Sequence, residues 1–197
     1  MSTWISNPRR LGGLLICLGA LAACQPVSGL AALAGPKSAI TLLGGEFTVK
    51  GPGQYCPDPT TVSETEDTAA VVLGRCAEDA KATPAILTVT VGPEGSGGVM
   101  AAGGAELASL FTSTTGRSML SARGRAADIR VLKALERDGV IYLHLADRGA
   151  APYWRGMAGM AGRLVTISAR GDDLTVDDGF DLVATTVRTI RRANPGP

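Results

Sequence analysis

The segment "DIRVLKALERDGVIYLHLAD", Asp128 to Asp147, constrains the fold more than any other. Ile141, Leu143 and Leu145 alternate with Tyr142, His144 and Ala146, and a period of two belongs to a strand. Asp138-Gly139 stands before them as a two-residue turn pair, the chemistry that a tight antiparallel connection requires. A β-hairpin is therefore predicted here. Once one hairpin is fixed, the rest of the chain must supply strands to pair with it.

Several segments can. "AITLLGGEFTVK" places Gly44-Gly45 between two apolar-rich runs, a second hairpin signal. "AAVVLG" (69–74), "AILTVTV" (85–91) and "RLVTISAR" (163–170) are β-rich runs bounded by turn residues, and the last puts Val165, Ile167 and Ala169 on one face. "KGPGQYCPDPTT", punctuated by Pro52, Pro57 and Pro59, reads as turn-rich. Two segments read as helices. In "AELASLFTS", Leu107, Leu110 and Phe111 share a helical face, and "GRSMLSARG" adds a short helical turn. In the C-terminal segment, Phe180, Val183, Ala184, Val187 and Ile190 form one stripe. Asp177 or Asp178 is expected to cap its start, Arg188, Arg191 and Arg192 suit its C-terminal dipole, and Asn194-Pro195 stops it. The expected fold is α+β: a single domain, mostly antiparallel sheet, with one internal helix and a C-terminal helix on one face. At 197 residues the chain suits one domain with a sizeable core.

The N-terminus carries a different signal. Arg9 and Arg10 precede 13 mostly apolar and small residues, Leu11 to Ala23, too few to span a bilayer comfortably, which takes about 20. The run ends in Leu21-Ala22-Ala23-Cys24. This order resembles the signal and lipobox of bacterial lipoproteins, in which a peptidase cuts before the cysteine, the thiol receives diacylglycerol and the new amino terminus is acylated. The resemblance implies that Cys24 is the lipid attachment point and that the bilayer is a partner. Ordinary cleavage at "ALAG" (32–35) and a retained short helix are the competing readings. Gln25 in place of aspartate resembles the outer-membrane pattern of well-studied Gram-negative lipoproteins. The expected organisation is a signal peptide over 1–23, lipidated cysteine and tether over 24–38, the domain over 39–194 and a tail over 195–197. Extended, residues 25–38 reach about 45 Å.

The remaining cysteines follow from that compartment. Cys17 leaves with the signal, and Cys56 and Cys76 remain as an even pair in an oxidising space, so a disulfide between them is expected. Without residues 1–23 the chain holds 17 basic and 18 acidic residues, Arg9 and Arg10 having gone. Near-neutrality argues against a nucleic-acid partner.

Signs of chemistry are weak. The glycine cluster "GPEGSGGVMAAGG" follows a strand and precedes a helix, but its G-x-G-x-x-G frame breaks at Met100 and it lacks a phosphate-loop lysine, so no nucleotide is expected. His144 and Asp147 lie three apart on a strand and should point to opposite faces; no G-x-S-x-G elbow supplies a nucleophile, and Ser96 and Ser113 have nothing in their favour. Asp172, Asp173, Asp177 and Asp178 lack a calcium-loop frame, Arg170-Gly171-Asp172 reads as a turn, and a lone histidine without C-x-x-C argues against a metal. No cofactor is expected. "APYWRGMAGMAG" offers Tyr153, Trp154, Arg155, Met157 and Met160 either as an adaptable ligand or partner surface or as groups closing one end of the core.

The run from Glu46 to Val91, "FTVKGPGQYCPDP", "VVLGRC" and "PAILTVTV", is similar to exported proteins of unknown function in Gram-negative bacteria, with Tyr55, Cys56 and Cys76 at the matching positions. That resemblance implies the disulfide and the domain boundary, and brings no activity. The sequence thus points to a membrane-anchored, non-enzymatic module facing the periplasm and binding an envelope component, its catalytic residue types being scarce. A periplasmic hydrolase and a carrier of a small apolar ligand are the alternatives.

Overall fold

A computed structural model describes residues 37–78 and 80–196, which lie within one compact unit. The signal segment, Cys24 and nearly all of the tether lie outside the described residues. Strands β1 (Ala39–Leu42) and β2 (Phe47–Lys50) form the hairpin around Gly44-Gly45, pairing Leu42 with Phe47. Next come β3 (Tyr55–Pro57), the two-residue β4 (Ser63–Glu64), β5 (Ala69–Arg75) and β6 (Ile86–Val91). A tight turn over Ser96–Ala102 leads into helices α1 (Gly104–Thr112) and α2 (Thr114–Leu120). The chain then meanders through β7 (Ile129–Arg137), β8 (Val140–Asp147), β9 (Tyr153–Met160) and β10 (Arg163–Arg170), and ends in α3 (Val176–Ala193).

The main sheet is antiparallel, in the order β3-β5-β6-β10-β9-β8-β7, with β4 also on β5. Its halves join where the last strand of the meander returns to β6, with Val165 opposite Val91 and Arg170 opposite Ile86. The Asp138-Gly139 turn lies between β7 and β8, with both residues at positive φ.

One face of this sheet carries Val71, Leu73, Leu87, Val89, Val165, Ile167 and Ala169. Onto it α3 lays Val183, Ala184, Val187 and Ile190, and the β1–β2 hairpin adds Leu42, Phe47 and Val49. The opposite face carries Ile141, Leu143, Leu145, Tyr153 and Met157, covered by Leu107 of α1 and Leu120 of α2. The helices therefore sit on opposite faces, not on one as expected, and the internal helix is two. The first correction has its cause in β8, where Val140, Ile141, Tyr142, Leu143 and Leu145 are all buried. A strand apolar on both sides needs cover on both. The second lies at Ser113, whose backbone leaves the helix and whose hydroxyl accepts from Gly116 N–H at 3.1 Å to start α2.

Helix α3 is capped by Thr175 rather than by either aspartate. Its hydroxyl accepts from Asp178 N–H at 3.1 Å and donates to the Asp178 carboxylate at 2.6 Å, a capping-box exchange. Asp177 and Asp178 occupy the first turn, where the helix dipole favours negative charge. At the other end Asn194 uses its amide twice on one residue: Nδ2 donates to Thr48 O and Oδ1 accepts from Thr48 N, both at 2.8 Å. That exchange fastens the hairpin to the helix. On β10, buried Arg163 donates to Asp67 O, Gly92 O, Asp67 Oδ1 and Glu46 Oε2, tying the hairpin to the loops flanking β5 and β6.

Cys56 and Cys76 are bonded, with Cα atoms 4.9 Å apart. The bond joins edge strand β3 to the residue after β5, beside the Cys76 N–H to Gln54 O bond. Cys76→Ser is expected to cost about 3 kcal/mol by the chain-entropy relation for a loop near 20 residues. Urea unfolding with and without reductant checks it. Reductant should lower the wild-type midpoint to that of the variant.

Helix α3 crosses β9 at Gly156, where an added Cβ would lie 2.7 Å from Val183 Cγ1. Gly156→Val is expected to destabilise by about 1–3 kcal/mol through overpacking. Gly74→Ala, which meets open space, should stay within about 0.5 kcal/mol of wild type in the same urea measurement.

Candidate functional site

Cover on the second face stops partway across the sheet. Helix α1 packs on β7 and β8, α2 on β7, and the Ser96–Ala102 turn on β9 and β10. Beyond them the outward side chains of β5, β6 and β10 are Ala70, Val72, Thr88, Thr90, Thr166 and Ile86. Thr88, Thr166 and Val72 are half-buried, Thr90 is exposed, and Ile86 is 57% exposed. The register sets Thr88 between Val72 and Ser168, and Thr90 between Ala70 and Thr166. The result is a hydroxyl-lined floor with three aliphatic groups, Ala70, Val72 and Ile86.

Tyr153, Arg155, Ser168, Arg170 and Asp147 form its border with the helix layer. Arg155 Nε donates to Ser168 Oγ at 3.1 Å, Nη2 to Tyr153 Oη at 3.2 Å, and Nη1 to Leu120 O at the end of α2 at 3.4 Å. The guanidinium of Arg170 lies 3.4 Å from the Tyr153 ring centroid and donates to Asp147 Oδ2 at 2.7 Å. Burial pushes the Tyr153 phenol above its ordinary pKa, against the lowering by Arg155 and Arg170. The phenol therefore stays protonated at neutral pH. Arg155 is committed on three sides, so it ties sheet to helix. Past Ile86 and Arg170 the floor opens into a 500 Å³ depression that also includes Arg75, Asp172 and Asp173.

The five residues of the "APYWRGMAGMAG" segment do not form one exposed surface. They lie on central strand β9, where alternation sends Tyr153, Arg155 and Met157 to the second face and Trp154 and Met160 to the first. Tyr153, Trp154, Met157 and Met160 are each at most 5% exposed. The physical reason is position: β9 lies between β8 and β10, and neither side is left to solvent. Trp154 stacks on His144 at 4.9 Å, meets Phe180 edge-on at 5.1 Å and donates through Nε1 to Val176 O at 2.7 Å. Packing fills the space around it.

His144 and Asp147 are not brought together. His144 lies on Trp154 and Asp147 on Arg170, so the two take opposite faces. Burial and the nearby Lys133 charge lower the His144 pKa, which favours the neutral ring. Ser96 Oγ is spent on Pro93 O and Leu164 N–H, and Ser113 caps α2. Among the described residues no group of three or more histidines, cysteines, aspartates or glutamates is placed to hold a metal, and no helix is long and apolar enough to cross a membrane. What the site offers chemically is hydrogen bonding by hydroxyls, one aliphatic patch and charge of both signs at one end.

Sequence reasoning named Tyr153 and Arg155 but not that Ser168, Arg170 and Asp147 join them. The signal for that grouping lies in register: once β9 and β10 are paired through Ala161-Gly162, Arg155 faces Ser168, but the pairing partner of β10's other edge was not readable from local pattern. No family model matches the chain, no curated protein matches it, and no solved structure matches its fold.

Proposed function

We propose that the protein is an exported lipoprotein, held to a membrane through acylated Cys24, whose α+β domain binds an envelope component without catalysing a reaction on it. The observation that carries the compartment is the Cys56–Cys76 bond. Structural disulfides persist in oxidising spaces such as the periplasm and are rare in the cytosol. Its presence in the domain agrees with the order of Arg9-Arg10, apolar run and Leu21-Ala22-Ala23-Cys24. Two acyl chains or more would anchor stably, each buried CH₂ contributing about 0.8 kcal/mol. The outer membrane is the favoured destination, with the domain facing the periplasm.

Support for binding comes from the half of the second face that no helix covers. A hydroxyl-lined strand surface with a few aliphatic groups suits a partner that adds hydrogen bonds and modest apolar contact, and an envelope protein is the partner proposed. The candidates the sequence offers for hydrolysis, Ser96, Ser113 and His144, are held in a turn, a cap and a ring stack.

Two measurements test the reading. An alkyne-tagged fatty acid fed to a bacterial host should label the wild-type chain and not Cys24→Ser, which should also keep its signal. A wild-type chain trimmed elsewhere and unlabelled would overturn the anchor. A photo-crosslinking amino acid at Thr90 should capture an envelope protein in intact cells, whereas the same group at exposed Leu132 on β7 should not. Equal capture at both positions, or none at Thr90, would remove the uncovered face as the binding surface.

A further inference from the structure

Charge is distributed along this chain in two blocks of opposite sign. From Glu46 to Glu94 there are eight acidic residues against three basic. Between Glu106 and Glu136 the balance reverses: Asp128 stands alone against Arg117, Arg123, Arg125, Arg130 and Lys133. The sheet order keeps the blocks apart, with β3 and β5 towards one edge and β7 and β8 towards the other. A nearly neutral chain is therefore electrically polar, and such a molecule turns in the field of a charged surface. We propose that the loop before β7 (residues 121–128) and the β8–β9 turn (148–152) form a face that docks on an anionic bilayer, orienting the anchored domain.

The positive charge of this face is on its surface and its negative charge is not. Arg123, Arg125 and Arg148 surround Asp128, and their side chains are 65%, 58% and 68% exposed where the carboxylate is 9%. One carboxylate offsets one of the three, which leaves an excess of two positive charges facing solvent. Arg130 borders the same hollow as Asp128 and Arg148, is exposed, and enters no ion pair among the described residues. Asp147, the other carboxylate at this border, is held by Arg170 at 2.7 Å. A lipid surface presents diffuse charge, so it is met by exposed, mobile cations and needs no pocket.

The residues between these arginines fit the same partner. Ala122, Gly124, Ala127, Gly149 and Ala150 are exposed and small, so the loops can lie close against a broad surface. Just before them in sequence, Met119 on the last turn of α2 is 68% exposed and supplies an apolar group. Basic side chains beside exposed apolar ones are the composition of an interfacial contact.

This inference rests on the Cys24 anchor, which brings the domain to a membrane. A tether over 25–38 reaches about 45 Å when extended, far enough for either edge of the sheet to meet the bilayer. Charge then selects the β7–β8 edge and repels the acidic one. Each basic side chain at an anionic surface strengthens the docked state about fivefold. The floor on β5, β6 and β10 is left clear for a protein partner.

The test uses the lipidated full chain with vesicles of phosphatidylcholine, alone or mixed with phosphatidylglycerol. Flotation with the neutral vesicles reads the anchor by itself. A fluorophore on Ala122→Cys, quenched by nitroxide-labelled headgroups, reads the docked orientation, and the same dye on Ser63→Cys in the acidic block is the reference. Quenching at Ala122 should rise in the anionic vesicles and fall back in about 1 M salt, where the screening length is about 3 Å. Ser63 should stay unquenched in both. Arg130→Gln/Arg148→Gln should lower the ratio of docked to undocked chain about tenfold or more, and Arg130→Lys/Arg148→Lys should retain it. Arg188→Gln/Arg192→Gln removes the same charge from α3 and should leave the ratio unchanged. Failure to float on neutral vesicles would overturn the Cys24 reading, and docking would then stand or fall on flotation with anionic vesicles. Quenching at Ala122 that ignores lipid charge would leave the patch to an acidic protein and overturn the docking face, as would equal loss in the two charge-removing pairs. Near-ultraviolet circular dichroism of each variant confirms that the fold is intact.

Discussion

The architecture depends on a pair of adjacent strands, β8 and β9, that are apolar on both sides. Burying Ile141, Leu143, Tyr153 and Met157 on one face and Val140, Tyr142, Trp154 and Ala158 on the other leaves no solvent side for either strand. Neither can be an edge, and neither can belong to a two-layer domain. One helix layer must lie on each face, which is why the chain inserts α1 and α2 before the meander and adds α3 after it. Small residues then set how close those layers come: Gly156 and Ala158 admit α3. Because β5 and β6 lack this double apolarity, their second face needs no helix and receives none. The uncovered floor and the buried strands are two results of one pattern.

Much of this was legible locally. The Asp138-Gly139 turn, the alternation in β8, the Val165–Ile167–Ala169 face and the α3 stripe follow from short-range periodicity. The disposition of helices was not, and the reason is instructive. In "VIYLHLAD" both alternating sets are largely apolar or aromatic, so the segment itself calls for two layers, whereas the expected domain had its helices on one face. The "APYWRGMAGMAG" segment left two readings open, an adaptable surface or groups closing the core, and the burial of Tyr153, Trp154, Met157 and Met160 agrees with the second. Its Gly156 and Gly159 allow close approach, to Val183 and to Gly97. A glycine in a strand often marks where another element presses in. The Thr175 cap shows a smaller version of the same limit: Thr175, Asp177 and Asp178 all offer acceptors within four residues, and only the local backbone decides which one reaches the N–H groups.

Pairings between distant residues lay beyond any local reading. The β6–β10 ladder closes over some seventy residues of intervening chain and fixes Ser168 beside Thr88. Arg163 and Asn194 each bind backbone groups of segments more than ninety residues away. Single polar side chains of this kind carry no periodic signal, yet they position the β1–β2 hairpin over the first core. The stability of that hairpin rests on satisfying backbone groups: Thr48 meets Asn194 as it would meet a neighbouring strand, and Leu43 N–H meets the Glu64 carboxylate. An isolated two-stranded ribbon is marginal in water, so these bonds and the burial of Phe47 and Val49 make it part of the domain.

Charge shows most clearly how composition and arrangement part company. A chain with a net charge of +1 shows no bulk excess of either sign. Balance over a whole chain nevertheless says nothing about how the charges are placed. Here the carboxylates are allocated unevenly. Asp128 takes three arginines, and hydrogen bonding from Arg125, before the attraction of the neighbouring guanidinium groups, holds its carboxyl below the ordinary range. Asp67 and Glu46 share Arg163. Near the end of α3, Arg188 donates to the Thr185 hydroxyl and Arg191 to Asp138 O. Their sequence position is explained by the helix dipole, which favours cations in the last turn.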